Sequence, residues 1–207
     1  MKKSLAILFT LFLLSGSAFA QSIGGFVGYG ASAFGDKFFG EEAEDENQAK
    51  YVPVGAHILF GTGGNFEIGA EINYAAVPFT FDAGEYGDLE VEQLYYGALA
   101  KFKIGSGGGI WPYVRGGAGL YTGSVNVKYS EEAKAIGAED ESIDLKSAFG
   151  FNVGGGAELD FSSNNGLFAE FVYHIVTREF DQEEGEEGDT SFGANNWAIQ
   201  VGFHFGL

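Results

Sequence analysis

The chain has 207 residues, no cysteine and a formal net charge of -18 at pH 7. This length fits one domain, and the lack of cysteine excludes disulfide bonds, thiolate metal sites and a lipidated N-terminal cysteine. So negative a protein repels nucleic acids, which are therefore not expected as partners.

The first twenty residues have the three regions of a secretory signal peptide. Lys2 and Lys3 precede an apolar stretch at 5–14, and small residues lead to an Ala-x-Ala motif at 18–20. The apolar stretch is too short to span a membrane as a helix. We therefore expect residues 1–20 to be cleaved and the mature chain to begin at Gln21, with a charge of -20 after the loss of both lysines.

Apolar and polar residues then alternate in eight segments, which is the pattern of β-strands with two unlike faces. The segments are 23–34, 51–60, 66–76, 89–104, 112–123, 145–161, 167–180 and 195–207. No other apolar stretch is long enough for a spanning helix, so this chain can cross a membrane only with strands.

The connections between these segments alternate between short and long. Short connections of Gly, Ser and Asn follow Phe60, Ile104 and Phe161, whereas the long ones at 35–50, 77–88, 124–144 and 181–194 carry most of the acidic residues. Outer-membrane barrels have short periplasmic turns and long extracellular loops. The pattern predicts an all-β, eight-stranded antiparallel up-and-down transmembrane barrel over residues 21–207.

One face of the strands is free of charge and is predicted to contact lipid. Phe66 and Phe102 lie on this face near the short turns. The aromatic residues predicted at the two membrane interfaces are Tyr74, Tyr96, Tyr173 and Trp197 toward the long loops, and Phe203 and Phe205 toward the short turns.

The opposite face mixes polar side chains with glycine. Side chains fill the interior of an eight-stranded barrel, so glycines are needed opposite the large residues. The predicted polar network of the lumen, with a structural role, consists of Glu67, Glu71, Lys101, Arg115, Glu158, Glu170, His174 and His204.

Chain position predicts the height of each inward residue, because strand direction alternates. Those expected near the short turns are Glu67, Arg115, Glu170, His57, Lys101, Lys103, Glu158 and His204, with Glu71 slightly higher and His174 in the other half. An unpaired buried charge costs several kcal/mol, so Arg115 is expected to bridge carboxylates and Lys101 to face Glu67. A fixed polar plug is favoured over an ion path gated by exchangeable salt bridges.

The sequence favours neither a metal site nor a catalytic site. The three histidines lack the spacing of shared metal ligands. The acidic segment 181–190 does not follow the calcium-loop pattern, because Gly185 occupies a ligand position. Solvated charge is the favoured interpretation there, with weak binding of divalent cations next to lipopolysaccharide phosphates as the alternative. No cofactor is predicted.

The segments 112–121, 151–161 and 197–205 resemble the small eight-stranded outer-membrane β-barrel family, which includes the OmpA transmembrane domain and OmpX. The resemblance implies a Gram-negative outer membrane, contacts with lipid and lipopolysaccharide, and a last strand that the assembly machinery reads and that closes on the first. Leu207 departs from the usual terminal Phe, although Phe205 lies on the same face. No peptidoglycan-binding domain follows, so an anchoring role is not implied.

Three functions fit these observations. The favoured one is a monomeric, non-enzymatic outer-membrane barrel with a plugged lumen and acidic surface loops, in a structural or surface-interaction role. The alternative is a narrow conduit for small or hydrophobic solutes, as in the similar OmpW barrels. A less favoured one is a soluble, lipocalin-like periplasmic barrel with the two faces inverted.

An enzyme acting on lipid A is disfavoured by the residues around the histidines. Barrel deacylases of that type carry a His-x-Ser pair, in which histidine takes the serine proton. The residues two positions after the three histidines are Leu59, Val176 and Gly206. None of them is a nucleophile.

Overall fold

The computed structural model describes residues 22–32, 50–61, 65–82, 87–105, 109–161, 165–179 and 191–206. The predicted signal peptide at 1–20 and the acidic segment 181–190 lie outside the described residues, as does Leu207.

The described chain is built almost entirely of strands. They are β1 (Ser22–Ser32), β2 (Lys50–Gly61), β3 (Phe66–Val77), β4 (Phe79–Asp82), β5 (Gly87–Lys103), β6 (Ile110–Tyr129), β7 (Glu141–Asp160), β8 (Asn165–Ile175), β9 (Thr177–Glu179), β10 (Ser191–Gly193) and β11 (Asn196–Gly206), with one short helix, α1 (Glu131–Ala135). No helix in these ranges has the length and apolar character needed to cross a membrane.

Eight of these strands form a closed barrel. The sheet order is β3-β2-β1-β11-β8-β7-β6-β5, and an additional pairing of β3 with β5 joins its two ends. The pairings within the barrel are antiparallel, and β1 closes on β11 from Ser22↔Gly206 to Ser32↔Asn196. The prediction of an all-β, eight-stranded up-and-down barrel is therefore confirmed.

The barrel wall is taller on one side than the sequence predicts. Residues 124–144 were assigned to a loop, but β6 continues to Tyr129 and β7 begins at Glu141, and the two pair over this stretch with Val125 opposite Ile143. The loop assignment is wrong at both ends. The alternation continues there with polar and charged residues on the outer side, such as Ser124, Lys128 and Asp144, so the composition resembles that of a loop.

Apolar side chains cover the outer surface of the barrel, and charged side chains lie inside. Ile68, Phe151 and Val201 are about half exposed, whereas Arg115 and Glu158 are buried. This arrangement is the reverse of the one that a soluble lipocalin-like barrel needs, so that interpretation is wrong. Aromatic side chains occur at both ends of the outer face, with Tyr74 and Tyr96 exposed toward the long-loop end, Tyr173, Trp197 and Phe203 partly buried, and Phe205 exposed at the short-turn end.

Glycines make room for the large side chains of the lumen. A Cβ on Gly117 would lie 2.8 Å from Asn152 Nδ2, and one on Gly150 would lie 2.8 Å from Tyr121 Cε2. Contacts this close require the neighbouring group to move. Each of these side chains therefore lies across the backbone of a strand that has no side chain of its own at that position.

Candidate functional site in the barrel lumen

Two lysines and two glutamates form what we call the short-turn network: Glu67, Lys101, Lys103 and Glu158. Lys103 Nζ lies 2.8 Å from Glu158 Oε1 and 3.2 Å from Glu67 Oε1. Lys101 Nζ bonds Glu158 Oε2 and lies 3.8 Å from Glu67 Oε2. Two cations thus balance two carboxylates, and Glu158 is almost completely buried.

Arg115 forms a second set of ion pairs, the central network, with Glu71 and Glu170. Arg115 Nη2 donates to Glu71 Oε2 and Nη1 donates to Glu170 Oε1, both at 2.6 Å. The Tyr113 hydroxyl donates to the other Glu170 oxygen at 2.9 Å. All three charged side chains are buried, so these bonds form in a low-dielectric environment, where charge-assisted hydrogen bonds are strong.

The central network crosses the full width of the lumen. Glu71 lies on β3 and Glu170 on β8, which are on opposite sides of the eight-stranded barrel, and Arg115 on β6 lies midway between them around the wall. Because it contacts both carboxylates, the guanidinium connects the two walls. Charged side chains therefore occupy the centre of the lumen, which would contain water in an open pore.

His204 reaches a pair of acids on β7. His204 Nε2 lies 3.5 Å from Glu158 Oε1 and 3.4 Å from Asp160 Oδ1. Gly166 of β8 pairs with both His204 and Asp160, and its missing side chain lets the imidazole extend across that strand.

Among the described residues, Glu158, Asp160 and His204 have donor atoms close enough to hold one metal ion, within 4.8 Å of one another. Glu158 already accepts hydrogen bonds from Lys101 and Lys103. A metal cation would have to compete with two ammonium groups for that carboxylate. The chemistry of this cluster therefore favours ion pairing over metal binding.

The half of the lumen toward the long loops is more apolar than expected. The rings of Tyr95 and Tyr121 pack at a tilt of 40° with centroids 4.7 Å apart, and the Tyr121 hydroxyl lies 2.8 Å from His174 Nδ1. These tyrosines belong to a buried cluster that includes Tyr51, Ala75, Val91, Val125, Leu145, Val176 and Ala198. The charged groups of the two networks lie below this layer, on the side of the short turns.

Every residue of the predicted polar network is buried in the lumen, and the structure distributes the eight over three places. Glu67 and Lys101 are register partners, but Lys101 makes its closer contact with Glu158. His174 lies apart, in the tyrosine layer. His57 lies near the short turns as expected, in register with Glu71, and its ring lies between those of Phe26 and Phe168, with centroid distances of 6.3 and 5.3 Å.

Sequence reasoning missed Asp160, Tyr121 and Arg178. Asp160 follows the inward parity of Glu158, and its proximity to His204 depends on the register around Gly166, which strand alternation does not specify. Arg178 lies on β9, beyond Ile175 where β8 ends. Arg178 continues the series of alternate inward-facing residues of β8, and this alternation could have predicted that its side chain points into the lumen.

Ion pairs also occur in water on the tall side of the barrel. Lys134 Nζ donates to Asp140 Oδ2 at 3.1 Å and the Tyr129 amide donates to Oδ1 at 2.9 Å, and both bonds lower the pKa of Asp140. Lys128 donates to Glu90 at 2.6 Å, and this bond raises the pKa of Lys128. Such exposed pairs contribute little to stability.

Known outer-membrane barrel structures are similar to this structure over most of the chain. The structure is similar to Neisserial surface protein A (12% identity, 90% of this chain and 96% of that chain covered, TM-score 0.61). It is also similar to OprG of Pseudomonas aeruginosa (15% identity, 91% of this chain and 96% of that chain covered, TM-score 0.53). A third similar structure is Ail of Yersinia pestis (15% identity, 89% of this chain and 98% of that chain covered, TM-score 0.50). At these identities the likeness concerns the fold. No curated protein matches the chain.

The sequence also matches a family model, which identifies the protein family and not only the fold. The model for the outer membrane protein beta-barrel domain matches residues 6–205, which includes every barrel strand except the last residue of β11. The protein belongs to this family of outer membrane β-barrel proteins.

Proposed function

We propose that the protein is a non-enzymatic outer-membrane barrel with a structural or surface-interaction role, in which paired charges close the lumen and acidic loops face the cell exterior. The observation that carries this proposal is the Arg115 bridge, which connects Glu71 and Glu170 on opposite walls. The short-turn network lies beyond it, so a permeating solute would have to displace both sets of ion pairs. Breaking buried pairs of this kind is costly.

Planar-bilayer recording tests the closed lumen. The full chain, folded in detergent and inserted at neutral pH in concentrated KCl, is expected to show no stable conductance steps. Its folded state is verified by the difference in gel mobility between boiled and unboiled samples, so that unfolded protein does not account for a missing current.

The matched variant is the triple substitution E71S/R115S/E170S, which removes the bridge without leaving an unpaired charge. We expect its ion current to exceed that of the parent. Conductance steps in the parent as large as those of the variant would contradict the plug and favour the narrow conduit.

The proposal also assigns a side of the membrane to each end of the barrel. Ile136, which follows α1 and is 89% exposed, lies at the long-loop end, and Asn65 is exposed at the short-turn end. The chain has no cysteine, so single cysteines introduced at these positions can be labelled without background.

On intact cells, a membrane-impermeant maleimide is expected to label I136C and to leave N65C unlabelled. After the outer membrane is permeabilised, both variants are expected to react, and this step is the control for reagent access. Labelling of N65C alone on intact cells would invert the proposed orientation.

The closed strand pairing of the barrel wall supports the proposal that the protein is a monomer. The sequence pattern of the last strand supports the proposal that this strand directs membrane insertion. Among the described residues, the pairing of β3 with β5 joins the two ends of the eight-stranded barrel wall, which therefore offers no free strand edge to a second copy. The outer face of β11 carries Trp197, Ile199, Val201, Phe203 and Phe205, the alternating apolar pattern that we propose the assembly machinery recognises. Lipid and lipopolysaccharide are the proposed surroundings, and divalent cations are proposed as weak partners of the acidic loops.

A further inference from the structure

Among the described residues, no counter-ion lies next to the buried cation Arg178. Its side chain belongs to a residue that is 1% exposed, and Nη1 and Nη2 have no hydrogen-bond partner among the described residues. The neighbouring acid, Glu179, is exposed and lies 3.6 Å from Lys146. An unpaired charge in such a place is strongly unfavourable, so an anion is needed to neutralise it.

The guanidinium extends past β7 toward β6. A Cβ placed on Gly123 would lie 3.1 Å from Arg178 Nη2, so the head group packs over the bare backbone of that residue. Gly123 pairs with Gln93 on β5 and with Leu145 on β7. The side chain from β9 thus ends beside three other strands, at the long-loop end of the barrel.

The walls around this position are mainly apolar, with the buried amide side chain of Gln93 as the polar exception beside Gly123. Val91, Val125 and Leu145 are buried there and belong to the same cluster as Tyr95 and Tyr121. Glu71 and Glu170, the lumen carboxylates nearest in height, are bonded to Arg115 below the tyrosine layer. The described part of the upper lumen therefore combines one cation with a mainly hydrocarbon surface, in which Gln93 and the tyrosine hydroxyls are polar groups.

We propose that the loop-end half of the lumen contains a binding site for a small organic monocarboxylate, anchored by Arg178. The two terminal nitrogens, which make no hydrogen bond to the described residues, form a planar fork that matches the two oxygens of a carboxylate. A single negative charge balances the single guanidinium, whereas a dianion would leave excess charge. The valines and Leu145 suit a short hydrocarbon portion on the ligand.

Butyrate is the probe, and the thermal unfolding midpoint of the full chain folded in detergent is the measurement. Butyrate is varied against chloride at constant ionic strength and pH 7, with butyramide as the uncharged analogue. We expect a saturable rise of the midpoint with butyrate and no comparable rise with chloride or butyramide.

Arg178→Met keeps the length of the side chain and removes the charge. Without butyrate, R178M is expected to unfold at a higher temperature than the parent, because it no longer buries an unpaired cation. Its apparent affinity for butyrate is expected to fall about ten- to hundredfold, as for the loss of charged hydrogen bonds. Arg178→Lys, which keeps the charge but lacks the fork, is expected to bind with intermediate affinity and serves if R178M does not fold.

Lys128→Gln is the matched control. It removes the same formal charge from the same end of the barrel, at an exposed position, and is expected to keep the butyrate response of the parent. A parent without a butyrate response overturns the proposal, as does an equal response to chloride. So does R178M unfolding below the parent without butyrate, which would mean that the chain itself supplies the counter-ion. These readouts do not depend on whether the lumen conducts.

Discussion

Arg115→Met is expected to lower the free energy of unfolding by about 3–5 kcal/mol, the cost of removing one partner from a buried ion pair. The substitution leaves Glu71 and Glu170 buried without the group that neutralises both of them. Tyr113 still donates to Glu170, but no comparable donor remains for Glu71 among the described residues. Equilibrium unfolding in denaturant, with the barrel in lipid vesicles, measures the loss.

Two further variants separate the bridge from the mere loss of an arginine. The triple variant R115M/E71Q/E170Q removes the buried charges together and is expected to recover most of the lost stability. Lys146→Met breaks an exposed pair with Glu179 and is expected to cost no more than about 1 kcal/mol. A loss of that small size for R115M itself would show that the bridge is not a main support of the barrel.

Ala98→Arg is expected to cost about 2–4 kcal/mol, as measured for arginine facing lipid at the middle of the bilayer. Ala98 is exposed on the outer face of β5, and its partners are Ala70 on β3 and Ala118 on β6. This patch contains no acid that could pair with the new charge. Reversible folding into vesicles gives the difference in free energy.

Ile104→Arg, which places arginine on the same outer face but near the membrane interface, is the control for Ala98→Arg. Ile104 is also exposed on the outer face, but it lies at the short-turn end just beyond β5. Arginine near the membrane interface costs only about 0–1 kcal/mol because the side chain reaches water. Equal costs at the two positions would contradict our assignment of the apolar band.

Strand alternation alone predicts much of this barrel. Parity assigns Glu71, Arg115 and Glu170 to the lumen, because an apolar outer face leaves only one face for charge. The rhythm of short and long connections predicts the strand order. Where polar residues occupy the outer face above the apolar band, as in the extension of β6 and β7, the same method mistook strand for loop.

The contacts within the lumen depend on strand register and on the length of each side chain, and the alternation of inward and outward residues specifies neither. Lys101 was expected to face Glu67, and the two are indeed register partners, yet the flexible lysine bonds Glu158 two strands away. His57 has the same inward parity as the charged residues but packs between two phenylalanine rings. Distances across the barrel decide such cases, and they follow from stagger and from glycines such as Gly166.

The junction of β1 with β11 constrains how the chain reaches its native state. The paired residues are roughly 160 or more positions apart in sequence, and joining such distant segments costs about 4–5 kcal/mol of chain entropy before any contact compensates. The hairpins of β5, β6 and β7 are local and can form early. Strand joining at this junction is therefore expected to limit the folding rate, and until it occurs two unpaired edges leave the chain open to aggregation.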